Sequence, residues 1–152
     1  MALWQYTFRI IPSVNLNELE KAIKDNTDGL RAIDDDSLWK KDKRSLSEFA
    51  EFGEILPLGK SWSGDVVLYG DLEKNCVELY MDGDSVSSLS FRIDFRSEYE
   101  NILTKLIEII KSKDLIILDE NLSMIPQSFE AINQAIQSAP QVVKWKHLTE
   151  GD

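Results

Sequence analysis

A reactive thiol needs a base beside it, and a zinc site needs several cysteine or histidine ligands. This chain holds one cysteine, Cys76, and one histidine, His147. Cys76 reads as small apolar filler in a strand, and no disulfide can form within the chain. His147 lies close to the last residue and reads as a surface residue. Asp82-Gly83-Asp84 has the beginning of a calcium-loop pattern but lacks its remaining ligands, and a hairpin turn accounts for it better. Asp34-Asp35-Asp36 reads as solvated aspartates in a short acidic turn, with a weak divalent site left open there. Gly59-Lys60-Ser61 matches the end of a phosphate loop, but Glu54 stands where the first glycine belongs. Ser61-Trp62-Ser63-Gly64 is not a G-x-S-x-G elbow. No carboxylate pair is singled out by apolar surroundings that would raise its pKa. The chain is therefore expected to be no enzyme, with no catalytic residue, metal site or cofactor.

Residues suited to binding are better represented. Trp39, Trp62, Trp145 and Tyr69 stand beside polar or turn residues, outside clean core stripes. Tryptophan is enriched at binding hot spots because its large apolar ring and its N–H both find partners there. Packing at the edge of the core is the other use of such a ring. Arg92, Asp94 and Arg96 alternate along one strand and so project together, and Glu78 is expected across from them. That set is either an exposed ion-pair ladder of little worth to stability or a charged sheet face offered to a partner.

The elements that position these residues follow from period and punctuation. Trp4 to Ile11 alternates as a strand, with Trp4, Tyr6, Phe8 and Ile10 on one face, and Pro12 ends it. Asn15 and Glu18 have capping-box spacing, Val14 and Leu19 that of a hydrophobic staple, and Leu16, Leu19 and Ile23 form the stripe of a first helix that exits at Asn26 to Gly29. Lys40 to Arg44 reads as a basic loop. Ser45 and Glu48 predict a short helix carrying Leu46, Phe49 and Phe52. A three-strand meander follows over Val66 to Gly70, Cys76 to Met81 and Val86 to Phe95, with Asp82-Gly83 turning the second hairpin. Ser97 and Glu100 predict a helix with a wide apolar face from Tyr99 to Ile110. Leu115 to Leu118 reads as a buried strand. Pro126 is expected to start a last helix and Pro140 to stop it, with Val142, Val143 and Trp145 docking as a strand. Strands cluster in the middle of the chain, so the expected fold is one α+β domain over residues 1–152. Its sheet is mainly antiparallel, with helices mostly on one face.

Composition narrows the partners. Seventeen basic and 27 acidic residues leave a net charge of −10, which disfavours binding to nucleic-acid phosphates. Residues 61–100 hold three basic residues against nine acidic ones, a net of −6. A field of one sign steers partners of the opposite sign, though it also serves solubility. Arg9 interrupts the apolar start, and Ile102 to Ile110 contains Thr104, Lys105 and Glu108. Nothing approaches the ~20 apolar residues that span a bilayer, so a cytoplasmic protein without membrane contact is expected.

The run Trp62-Ser63-Gly64-Asp65, then Tyr69-Gly70, then Arg92-Ile93-Asp94-Phe95-Arg96, with the aromatic strand Trp4 to Ile11, resembles the small acidic immunity proteins of bacterial polymorphic-toxin and contact-dependent growth inhibition systems. The resemblance implies a cytoplasmic protein that binds and neutralises a cognate toxin, often a basic nuclease, without catalytic residues of its own. The expected contact residues are Trp62, Asp65, Tyr69, Asp71, Glu73, Glu78, Asp82, Asp84 and Asp94, with Trp62 or Tyr69 as the aromatic anchor. Two other readings stay open. One is a small-molecule binder or enzyme with a polar pocket on the sheet face around Arg9, Arg92 and Asp94. The other is an adaptor or homo-oligomeric subunit.

Overall fold

The structure is a computed structural model that describes residues 4–25 and 30–150. Alternating side chains build a six-stranded, wholly antiparallel sheet in the order β4-β5-β6-β1-β7-β8. Its strands are β1 (Gln5–Pro12), β4 (Val66–Gly70), β5 (Cys76–Asp82), β6 (Ser85–Asp94), β7 (Leu115–Leu118) and β8 (Met124–Ile125). The expected meander is β4-β5-β6, and β1 pairs against its inner edge with Phe8 opposite Phe91 and Ile10 opposite Leu89. The hairpin at Asp82-Gly83 forms as expected, with Gly83 at φ 63°, a conformation glycine adopts at no steric cost. A small second sheet pairs β2 (Ile23–Asp25) with β3 (Arg31–Ile33). The helix exit expected at Asn26 to Gly29 falls outside the described residues.

The two faces of the main sheet are covered unequally. Tyr6, Phe8, Ile10, Val77, Leu79, Leu89, Phe91, Ile93 and Ile117 belong to a large apolar core. They share it with α3 (Glu100–Lys111), α4 (Phe129–Gln137), α5 (Pro140–Glu150) and the 3-10 helix Leu46–Glu54. Aromatic contacts knit it: Phe8 stacks on Phe91 at 4.8 Å, and Phe49 on Phe52 at 6.0 Å. On the opposite face only one end is covered. There Ile11 and Leu118 meet Leu19 and Ala22 of α1 (Leu16–Ala22) and Leu38 of α2 (Asp35–Lys41). Helices thus lie mostly on one face.

Several local expectations need correction. Asp34-Asp35-Asp36 is no turn: Asp34 caps α2 by accepting the Ser37 N–H, and Asp35 and Asp36 fill its first turn, where acids favour the helix dipole. Lys40 and Lys41 close that helix, so only Asp42 to Arg44 of the expected basic loop lies beyond it. The loop is also neutralised, through Lys40–Asp36, Lys41–Glu18 and Arg44–Asp42 pairs. Asn15 and Glu18 do cap α1, but Leu16 is exposed and Ile23 belongs to β2. The helix expected from Ser97 begins at Glu100, whose N–H is received by the Glu98 carboxylate. Ser128, not Pro126, opens α4. The preceding helix does end before Pro140, at Gln137, but Pro140 is also the first residue of α5, where its missing N–H has no partner to lose. The tail expected as a strand is this helix, with Val142 buried and Trp145 edge-on to Phe95 at 5.6 Å.

Candidate functional site

The uncovered part of the polar face carries the residues of interest. Register places Thr7 opposite Arg92, Arg9 opposite Ser90, and Glu78 opposite Ser90 on the other side. Glu78 is 2% exposed. A carboxylate taken so far from water needs partners, and it has two. Arg92 Nη2 lies 2.8 Å from Oε1, and Trp62 Nε1 donates to Oε2 at 3.4 Å. Trp62 itself is 61% exposed and meets Tyr80 edge-on at 5.9 Å. Tyr80 is two positions along β5 from Glu78, hence on the same face, and is 37% exposed. Its phenol is pushed above its ordinary pKa by burial and the nearby Glu78 charge. The result is an aromatic pair standing on a buried ion pair.

Further along the face, Arg9 Nη1 bonds Asp35 Oδ2 at 2.7 Å, and the Ser88 hydroxyl donates to the same oxygen at 2.8 Å. Beside them a cleft of about 630 Å³ is walled by β1, β3, Arg92 and the turn Asp119–Leu122. Cys76, opposite Arg92, is fully buried. Desolvation lifts its thiol to about 11, against a smaller opposing effect of Arg92, so it is protonated and inert at neutral pH. Among the described residues no group of three or more His, Cys, Asp or Glu side chains could hold a metal ion. No helix among them is long and apolar enough to cross a membrane.

The nine contact residues expected from sequence separate into three sets. Trp62, Asp65, Asp82 and Asp84 are exposed and lie together, where the Met81 N–H meets the Asp65 carbonyl. Asp71 and Glu73 are also exposed but sit at the opposite end of β5, about 20 Å away for a seven-residue strand. Their loop is pinned to the sheet: Gln5 Nε2 reaches the Leu72 and Lys74 carbonyls, Trp4 Nε1 the Glu73 carbonyl, and Asn75 Oδ1 receives the Asp94 N–H. Gly70 lets the chain turn there at φ 93°, where a Cβ would meet the Asn75 carbonyl at 2.3 Å. Tyr69, Glu78 and Asp94 form the third set. Tyr69 is 8% exposed and packs on Phe52, so it is a core ring and presents no aromatic surface. Asp94 is buried beneath Arg96, which bonds it through Nε and Nη2 and lies over the Trp4 ring. Trp39 is also core.

Sequence reasoning missed Tyr80, though its two-residue spacing from Glu78 was a sufficient signal. It also missed Arg31 and the turn Asp119–Leu122, which only long-range pairing brings beside Arg92. Compared with known proteins, the chain matches no family model, no curated protein and no solved structure.

Proposed function

We propose that this chain is a toxin-neutralising immunity protein that acts by occlusion, docking a basic protein partner at the hairpin end of its polar face. One observation carries the reading: Trp62 stands exposed on the part of the polar sheet face left uncovered by α1 and α2, braced by Tyr80 and by a buried carboxylate. Aromatic anchors on rigid supports, ringed by charge, are what tight interfaces use. Asp65, Asp82 and Asp84 beside it supply a field that draws a positively charged partner. The pinned acids Asp71 and Glu73 lie too far along the sheet to share a small footprint and act at most at long range. Neutralisation proceeds through contact with the partner.

The test is genetic and then kinetic. The product of the gene adjacent to this one is expected to arrest growth when expressed alone and to be harmless when this chain is co-expressed. Their association rate is expected to fall more than about tenfold as salt rises from low to high concentration. A neighbouring product harmless without this chain sinks the proposal.

A further inference from the structure

Two tryptophans stand at opposite ends of the sheet beside carboxylates, and only one of them holds a cation. At the far end of β5, the Arg96 guanidinium lies 4.2 Å over the Trp4 ring while its Nε and Nη2 bond Asp94. At the hairpin end, Trp62 is 61% exposed, and no cation among the described residues lies over its ring. The ring is nonetheless fixed. Its N–H donates to Glu78 Oε2 at 3.4 Å, and Tyr80 meets it edge-on at 5.9 Å. Glu78 is already paired with Arg92. The open carboxylate is Asp65, three residues after Trp62 on the same turn. That turn is held by its own bonds. The Ser61 hydroxyl donates to the Ser63 carbonyl at 2.6 Å, the Ser63 hydroxyl receives the Asp65 N–H at 3.3 Å, and the Met81 N–H meets the Asp65 carbonyl at 2.8 Å. Asp65 is exposed, and no ion pair among the described residues engages it. Asp82, by contrast, shares a recess with Lys40 and Lys43, which blunt its charge.

We propose, resting on the docking reading above, that Trp62 and Asp65 together receive an arginine side chain of the partner. Its guanidinium lies flat on the indole, and its N–H fork meets the Asp65 carboxylate. The negative face of a tryptophan ring attracts a cation. The cluster of Trp4, Arg96 and Asp94 holds the same three groups already satisfied within the chain. Arginine suits the site better than lysine. A guanidinium is planar and weakly hydrated, so it stacks and still keeps its edge donors for a carboxylate, whereas an ammonium is compact and strongly hydrated.

The chain alone, labelled with nitrogen-15, is titrated with acetyl-glycyl-arginyl-glycine amide, and separately with the lysyl peptide and sodium chloride at matched ionic strength. The indole N–H correlation of Trp62 is followed, with that of Trp4, already covered by Arg96, as the internal reference. The arginyl peptide is expected to move the Trp62 signal saturably and to bind at least about threefold more tightly than the lysyl peptide. Chloride is expected to leave the signal in place. Asp65→Asn is expected to weaken the arginyl peptide about threefold; only backbone atoms of Asp65 bond within the chain, so this variant keeps the fold. An arginyl titration no different from chloride overturns the site. Equal affinity for the two peptides overturns the arginine assignment, and an Asp65→Asn titration like wild type overturns the role of Asp65. Should the peptide fail while the adjacent gene product binds, docking stands without the arginine. Should the peptide bind and that product not, the site stands and the docking reading falls.

Discussion

Phe91 and Arg92 are neighbours on β6, yet they face opposite solvents. Phe91 points into a core closed by three helices and a 3-10 helix, stacked on Phe8. Arg92 points onto a face covered only at one end, where it holds a buried Glu78. The first face is stabilised by apolar area removed from water. The second contains a charge pair whose net worth is small, because desolvation offsets attraction, but whose disruption is costly. One face builds the fold; the other holds an aromatic pair and a cleft in place.

Substitutions at these two positions should separate the cases. Phe91→Ala is expected to lower unfolding stability by about 3–5 kcal/mol through a cavity, measured by urea denaturation. Arg92→Ala is expected to cost about 3 kcal/mol, because Glu78 is left buried and unpaired. The distinction lies in rescue: adding Glu78→Leu to Arg92→Met should recover most of that loss, whereas no polar replacement rescues position 91. If the double variant is as unstable as Arg92→Ala, the ion pair is a net support of the fold and its worth is not small.

Much of the apolar face was legible from the sequence. Tyr6, Phe8 and Ile10 alternate with polar residues, as do Leu89, Phe91 and Ile93, and Asp82-Gly83 punctuates the hairpin. Tyr69 was not legible, because Val66 to Tyr69 is apolar throughout and no polar residue marks which side is inward. The burial of Glu78 was hidden for a different reason: Trp62, sixteen residues earlier, covers it. At the last helix, Val142 and Val143 suggested a strand, and the helix-starting role of Pro140 overrode that propensity. The cleft needed β1, β3, β6 and the Asp119–Leu122 turn assembled at once, which local pattern cannot supply.

Both faces of the sheet lose stability in alkali through buried acids. On the polar side, Cys76 has its thiol pushed from 9.0 to about 11 by burial. The unfolded chain releases this proton near pH 9 and the folded chain only near 11. The folded state therefore holds more protons in that window, and stability falls as pH rises through it, by about 2–3 kcal/mol. Tyr6, on the apolar side, is likewise raised to about 12, chiefly by burial, so it extends the loss to higher pH. Cys76→Ala should remove the lower part of this alkaline loss; an unchanged profile from pH 9 to 11 would show that the thiol does not contribute.

The smallest expected effect is the most informative about function. Trp62→Ala should lower stability by only about 1 kcal/mol, the worth of its N–H bond to Glu78, if the exposed ring otherwise serves a partner. A much larger loss would mean that the ring mainly shields Glu78 and belongs to the fold.

The most direct measurement is the affinity of the wild-type chain and of Trp62→Ala for the purified product of the adjacent gene, by calorimetry at fixed salt. The docking account predicts tight binding by the wild type and a loss of at least about 2 kcal/mol, some thirtyfold, in the variant. Equal affinity of the two proteins, or no binding by the wild type, would contradict it.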